Sequence, residues 1–381
     1  MAPAETHSIS NLRLDRLFRG QYHPVNQQNA GNGRYGFNKE TTPMKLRHVT
    51  IAAAVLAAVS PVAASAQNIT LKYLTAWDNR FEGTSMMAYE YGKMVSKATD
   101  GRIKMVFSGP EVIKPNQQFQ PTVSGVFDLN LAVAPYYFGT TGVPMAYYAM
   151  PASTEEWREK GYWQYSDKEM QRFGLKMISH VLGGSGANVF QVMLKAPLEK
   201  TDKPLAGKKI RANALYRPIV EPLGGSMVNL SGGQIYAALQ RGVVDGAAWP
   251  IMGAVNFKWY EVAKYMMRPR FGVSPYTVTM NINRFNKLSK ADQKLLLDLG
   301  RKLEQEVPLK FDAATEAEIK KLKELGVQET HLSDDVGKSI IDGFIKGIWN
   351  LAMAGNKKTA GRVMELYEMA KAKGDAPESL K

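Results

Sequence analysis

The sequence predicts an α/β protein built in two halves, each on an open, mostly parallel sheet flanked by helices. Three observations carry this reading. The chain has 381 residues, more than one ordinary domain of roughly 100 to 200 residues holds. Its 45% hydrophobic and 22% charged residues, with 33 Gly and 19 Pro, have the profile of a globular protein. From Gln67 onward, short period-two apolar runs alternate with runs at helical spacing, the rhythm of repeated βαβ units.

Two segments precede that rhythm. Residues 1–43 are polar, rich in Gly, Asn and Gln and without apolar period; they are expected to be untranslated, or else a disordered leader. Residues 44–48 are a short basic stretch, 49–59 an apolar run in which Thr50 is polar, and Ala64-Ser65-Ala66 a small-x-small cleavage site. Residues 44–66 therefore read as a secretory signal peptide, with a mature start at Gln67. The apolar run is too short to span a bilayer, which needs about 20 residues.

The elements then follow in order. Alternation predicts a strand at 69–74. Met87, Tyr91, Met94, Val95 and Ala98 recur at helical spacing before a stop at Gly101, and 103–107 is the next strand. A short helix is expected at 117–124 and a buried strand at 127–133. Ser153 and Glu156 form a capping box opening a helix to about Phe173. Strands at 175–182, 189–194 and 209–212 lead into a tight unit of strand 226–229, helix 233–241 closed by Gly242, and strand 243–249. Ser289 and Asp292 head a long helix to about Leu325, suited to bracing both halves, which Pro308 should kink because it lacks an N–H. Two helices close the chain from about Asp334 to Lys373, with Met364, Tyr367 and Met369 as a core stripe.

Composition removes several functions. There is no cysteine, so thiolate metal sites and cysteine nucleophiles are excluded. His7, His23 and His48 precede Gln67, leaving His180 and His331, too little for a histidine metal site or triad. The net charge of +14 includes seven basic and three acidic residues in 1–66, which leaves 42 basic and 32 acidic residues, or +10, for the remainder. That surplus suits an anionic small molecule. Nucleic acid is not expected, because the basic residues are dispersed, with acids interleaved as in Lys320-Lys321-Leu322-Lys323-Glu324, and no nucleic-acid motif occurs. Gly183-Gly184-Ser185-Gly186-Ala187 is followed by a strand pattern where a nucleophile elbow or a dinucleotide loop needs a helix; a crossover between the halves accounts for it. Glu155-Glu156 and Asp334-Asp335 sit at helix starts, where the macrodipole favours acids. No catalytic residue, metal or cofactor is expected.

The most specific pattern lies between Gly207 and Pro250: a Lys209-Ile210-Arg211 strand, Gly224-Gly225, the helix Ile235-Tyr236-Ala237-Ala238-Leu239-Gln240 and the turn Gly242-Val243-Val244-Asp245-Gly246. In this order the chain resembles the DctP-type solute receptors of TRAP transporters. Lys97-Ala98-Thr99-Asp100-Gly101-Arg102-Ile103 and Tyr260-Glu261-Val262-Ala263-Lys264-Tyr265 extend the resemblance over nearly all of the chain after Gln67. It implies a two-lobed, periplasmic binding-protein-like clamp with a long bracing helix. Lobe I is then 67–188 with about 277–316, and lobe II 189–276 with about 317–381. It also implies a periplasmic, monomeric receptor that delivers a small organic acid to the membrane subunits of a TRAP transporter, the acid's carboxylate pairing with Arg211. A guanidinium suits that role because its planar fork binds carboxylate bidentately.

Departures narrow the ligand. Gln234 stands where many relatives have an acid, Trp249 replaces a polar contact, and only 188–191 stands where some relatives place a second basic residue. Trp77, Tyr136, Tyr137 and Trp249 fall at or just beyond predicted strand ends, where ligands sit in open α/β sheets, and Asn79, Asn188 and Asn213 are further polar contacts. The expected ligand is a small carboxylate, such as a hydroxy or oxo acid with an apolar or aromatic part. A receptor of another importer class, such as an ABC system, and a periplasmic enzyme with a similar cleft are the alternatives.

Overall fold

The structure, a computed structural model, describes residues 67–380 other than Ala187. The leader and signal-peptide readings therefore lie outside the described residues. Among the described residues, eleven strands form two sheets. In chain order they are β1 (Ile69–Thr75), β2 (Ile103–Ser108), β3 (Leu129–Ala132), β4 (Leu175–Leu182), β5 (Phe190–Leu194), β6 (Lys209–Arg211), β7 (Ser226–Val228), β8 (Gly246–Pro250), β9 (Tyr265–Arg268), β10 (Pro275–Asn281) and β11 (Gln328–His331). The first sheet has the order β2-β1-β3-β10-β4 and the second β11-β9-β5-β8-β6-β7.

Each sheet is parallel but for one strand. In the first, β10 runs antiparallel to both neighbours; in the second, β5 does. These are the two strands that arrive from the other sheet without an intervening helix, so they enter from the opposite end to the strands fed by helices. The crossing segments also pair with each other. The N–H groups of Asn188 and Val189 donate to the Gly272 carbonyl (2.7 and 2.9 Å), and that of Gly183 donates to the Ser274 carbonyl (2.9 Å). The glycine-rich run 183–186 thus lies in a crossover, as expected.

A third crossing is the helix Lys290–Glu324, 35 residues long. Ser289 caps it by accepting the Asp292 N–H (3.1 Å), an interaction whose loss costs about 1 kcal/mol. It continues through Pro308, which removes one backbone donor without ending the helix. Its first half packs on β4: the Ser179 hydroxyl donates to the Gly300 carbonyl (2.8 Å), and Glu304 accepts from the His180 N–H (2.7 Å), Trp163 Nε1 (2.9 Å) and Arg158 Nε (2.6 Å). Its second half reaches the segment after β8 through Glu318.

Three sequence expectations need correction. The helix opened by the Ser153–Glu156 capping box, which is present, stops at Glu159 and restarts at Tyr162. Gly161 between them has φ 81°, a left-handed conformation that terminates a helix. The strand predicted at 243–249 begins only at Gly246, because Asp245 is held in a turn, its N–H donating to the Lys209 carbonyl (2.7 Å) while its carboxylate accepts the Lys209 N–H (2.8 Å). In the last helix, Ala360–Lys371, the core stripe is Val363, Leu366, Tyr367 and Ala370, while Met364 is 41% exposed.

Candidate functional site

Arg211 is the last residue of β6, which pairs in parallel with β7 and β8. That register buries its side chain to 1% exposure. Nε donates to the Leu230 carbonyl (2.8 Å) and Nη1 to the Ala248 carbonyl (3.0 Å). The guanidinium carbon lies 4.7 Å from the centroid of the Trp249 ring, close enough for cation–π attraction. Two of five N–H donors are therefore occupied, and no carboxylate among the described residues pairs with the group. Burial lowers its proton affinity, and the Tyr136 and Tyr216 hydroxyls oppose that change. An arginine starts so far above neutrality that it stays charged. The result is a desolvated cation held by carbonyl dipoles and an aromatic face.

A cavity of about 490 Å³ opens onto it, lined by Lys114, Asn116, Tyr136, Asn213 and Gln234 among others, with no acidic residue in its wall. Beside it lies a narrow slot of about 30 Å³ walled by Trp77, Phe81, Tyr136, Tyr216, Trp249 and Tyr276. Tyr136 and Asn213 border both spaces. Trp77 follows β1 and packs against Tyr136 (5.9 Å), Phe81 (5.1 Å) and Tyr276 (5.6 Å), while Phe81 meets Trp249 edge-on at 6.3 Å. The walls thus come from both sheets: Trp77, Tyr136 and Tyr276 follow or lie in strands of the first, Arg211 and Trp249 in strands of the second. Nε1 of Trp77 and of Trp249 is buried with no acceptor in hydrogen-bonding geometry. Asn213 uses its Oδ1 to accept the Leu215 N–H (3.1 Å), which leaves its amide donors available. Burial raises the Tyr136 and Tyr216 phenols, so both are neutral donors at any ordinary pH.

Five of the seven sequence candidates therefore meet at one place: Arg211, Trp249, Asn213, Tyr136 and Trp77. Two do not. Asn79 is exposed in the turn after β1 and lines neither space. Asn188 lies in the crossover with φ 76°, a conformation asparagine tolerates better than most residues, and its position there is that of a joint. Tyr137 turns away to stack on Phe119 at 4.9 Å. Sequence reasoning missed Phe81, Tyr216, Tyr276 and Lys114. Tyr216 had a local signal, since Asn213 caps the short turn Ala214–Tyr216 and fixes which side chain follows it.

Two mostly parallel sheets joined by paired crossing strands and a long helix, with a cleft walled by both, make a two-lobed solute-binding fold. The chain belongs to family 7 of the bacterial extracellular solute-binding proteins, the DctP family, whose model matches residues 76–346. A monocarboxylate 2-oxoacid-binding periplasmic protein of Nostoc sp. is 25% identical over 247 residues, 62% of this chain and 66% of that one. Among solved structures, a TRAP periplasmic solute-binding protein from Desulfovibrio salexigens with bound orotic acid superposes with TM-score 0.69 at 19% identity, over 80% of this chain and 99% of that one. One from Rhodoferax ferrireducens with bound malonate gives TM-score 0.69 at 20% identity over the same shares. Among the described residues no helix is long and apolar enough to cross a membrane.

Proposed function

We propose that the protein is the periplasmic receptor of a TRAP-type importer, binding a small organic carboxylate on Arg211 and delivering it to membrane subunits without transforming it. The buried, unpaired guanidinium carries this reading. Removing a cation from water costs several kcal/mol unless an anion and good hydrogen bonds compensate, and here the protein supplies carbonyls and a ring but no anion. A ligand carboxylate completes the set, taking the remaining donors as a bidentate partner.

The aromatic slot and the two unpartnered indole N–H groups favour an acid with an apolar or planar body and a further oxygen acceptor, as in an oxo or hydroxy acid. Asn213 supplies another donor at the boundary of the two spaces. We take the lobes as 67–188 with about 277–316 and 189–276 with about 317–381, with the last helix and the turn after it resting on the first of them, where Arg362 pairs with Glu169 (2.6 Å) and Lys160 with Asp375 (2.8 Å). In this reading the protein acts as a monomer and without a cofactor. A thermal-shift screen tests it directly, using pyruvate, malonate, orotate and their neutral amides. A ligand at 100 times its dissociation constant adds about 2.7 kcal/mol to stability. At least one acid should raise the melting temperature while its amide does not; equal responses to acid and amide would refute the anion reading.

A further inference from the structure

A half-buried carboxylate outside the cavity also lacks a cation. Glu318, on the second half of the long helix, accepts the N–H of Gly253 on Oε2 (2.8 Å) and that of Val255 on Oε1 (2.7 Å). These residues begin the segment 251–259 that follows β8. Gly253 has φ 108°, accessible to glycine and strained for other residues, and a Cβ there would stand 3.4 Å from the Phe81 ring. Further along, Phe257 and Trp259 stack at 5.1 Å, and both meet Trp249 edge-to-face, at 6.3 and 5.5 Å. Trp249 is the ring over which the Arg211 guanidinium lies.

We propose that Glu318 is a positioning residue for the carboxylate anchor: by clamping the backbone at 253–255 it fixes the aromatic support of Trp249, and so sets ligand affinity from outside the cavity. The clamp uses two acceptor oxygens for two donors, which the ionised carboxylate offers equally and the acid form offers less well, its hydroxyl oxygen being the poorer acceptor. Burial pushes the Glu318 carboxyl up to about 7, with the backbone donors opposing and Glu82 adding repulsion. Glu82, from the helical turn after β1, is the charged side chain facing it. On its own helix Glu316 pairs with Arg270 (3.5 Å) and Lys321 with Glu324 (3.2 Å).

The clamp therefore tightens as pH rises through about 7, and ligand binding releases a proton there. The fold responds with the opposite sign. A carboxyl raised from 4.5 to about 7 by folding contributes stability below 4.5 that is lost as pH rises through about 7, so the tighter clamp coincides with a less stable chain.

Two measurements test the proposal. The first uses ligand-free protein: tryptophan emission followed from pH 5.5 to 8.5, to which Trp249 and Trp259 both contribute, should inflect near 7 in the wild type and lose that inflection in Glu318→Gln. The second rests on the carboxylate reading and uses whichever of pyruvate, malonate and orotate binds in the thermal screen. Its affinity should rise about five- to tenfold from pH 6 to 8 in the wild type, the equivalent of about one hydrogen bond, stay flat in Glu318→Gln, and be weakened at every pH in Glu318→Ala. Circular dichroism checks that each variant is folded. Superimposable emission profiles for wild type and Glu318→Gln would overturn the proposal without touching the assignment of Arg211. Wild-type affinity in folded Glu318→Ala would do the same.

Discussion

Replacing Arg211 with Ala removes the only cation in the cavity wall that is fully buried, and the structure sets the scale of the loss. The side chain donates to the Leu230 and Ala248 carbonyls and lies on Trp249, so the ligand-free protein loses two hydrogen bonds worth about 1 kcal/mol each but is relieved of an unpaired buried charge. These changes oppose one another, and the ligand-free melting temperature should move little. Binding has no such compensation. A carboxylate drawn into the cleft without its partner faces only the exposed, hydrated Lys114, and breaking one side of a buried pair costs about 3 to 5 kcal/mol. That is a loss of roughly two to four decades in affinity. Arg211→Lys should fall between, since an ammonium keeps the charge but cannot serve two carbonyls and both carboxylate oxygens in the planar fork. Isothermal titration of folded protein with the acid found in the thermal screen measures both variants. Wild-type affinity in Arg211→Ala would refute the anchor and the carboxylate reading with it.

Two further outcomes follow from the architecture. Removing Arg158, the cation on Glu304 (2.6 Å), should destabilise the chain by about 3 to 5 kcal/mol, seen as a lower denaturation midpoint, while ligand affinity measured well below that midpoint stays unchanged. A saturating acid should reduce the radius of gyration in small-angle scattering, because it touches walls from both sheets and so favours the state in which they are close; identical profiles with and without acid would count against closure.

Arg211 was singled out through the resemblance carried by the run 207–250, a strand end, a glycine turn and the helix and turn after it, and in the structure β6 pairs with β7 and β8 of that same run. Trp77, Tyr136 and Trp249 were legible because parallel strands end at the same edge of a sheet, so a residue just beyond or near the end of a predicted strand is a wall candidate. Tyr276 was not, since it reaches the slot through Trp77, some two hundred residues away, and Phe81 meets the second sheet only through Trp249. Periodicity does not encode such adjacency. Asn79 and Asn188 show the converse error. Both have a polar side chain at a strand boundary, but the turn after β1 faces solvent and the segment before β5 is taken up in the crossover. The helix across 153–173 failed for a local reason, because Gly161 sits inside an apolar pattern that reads as continuous until its backbone adopts a left-handed turn.

If the ligand is the proposed carboxylate, the unpaired guanidinium also determines how the site discriminates. A buried charge that finds its only anion in the ligand makes the ligand-free cleft unfavourable and returns that cost on binding, so the contrast between an acid and its neutral analogue exceeds the strength of the contact itself. An amide of the same shape would pack against the same rings and bury the same apolar area, yet it would leave the cation desolvated and present one carbonyl where the fork has two parallel donors. Apolar packing against Trp77, Trp249 and Tyr276 tells acids of different bodies apart only by a few kcal/mol at most, since a methylene is worth about 0.8 kcal/mol. The charge requirement is therefore strict and the shape requirement graded. On the proposed reading, such a cleft is expected to admit several related acids and exclude their uncharged relatives, with the selection made at Arg211 and the ranking by the rings around it.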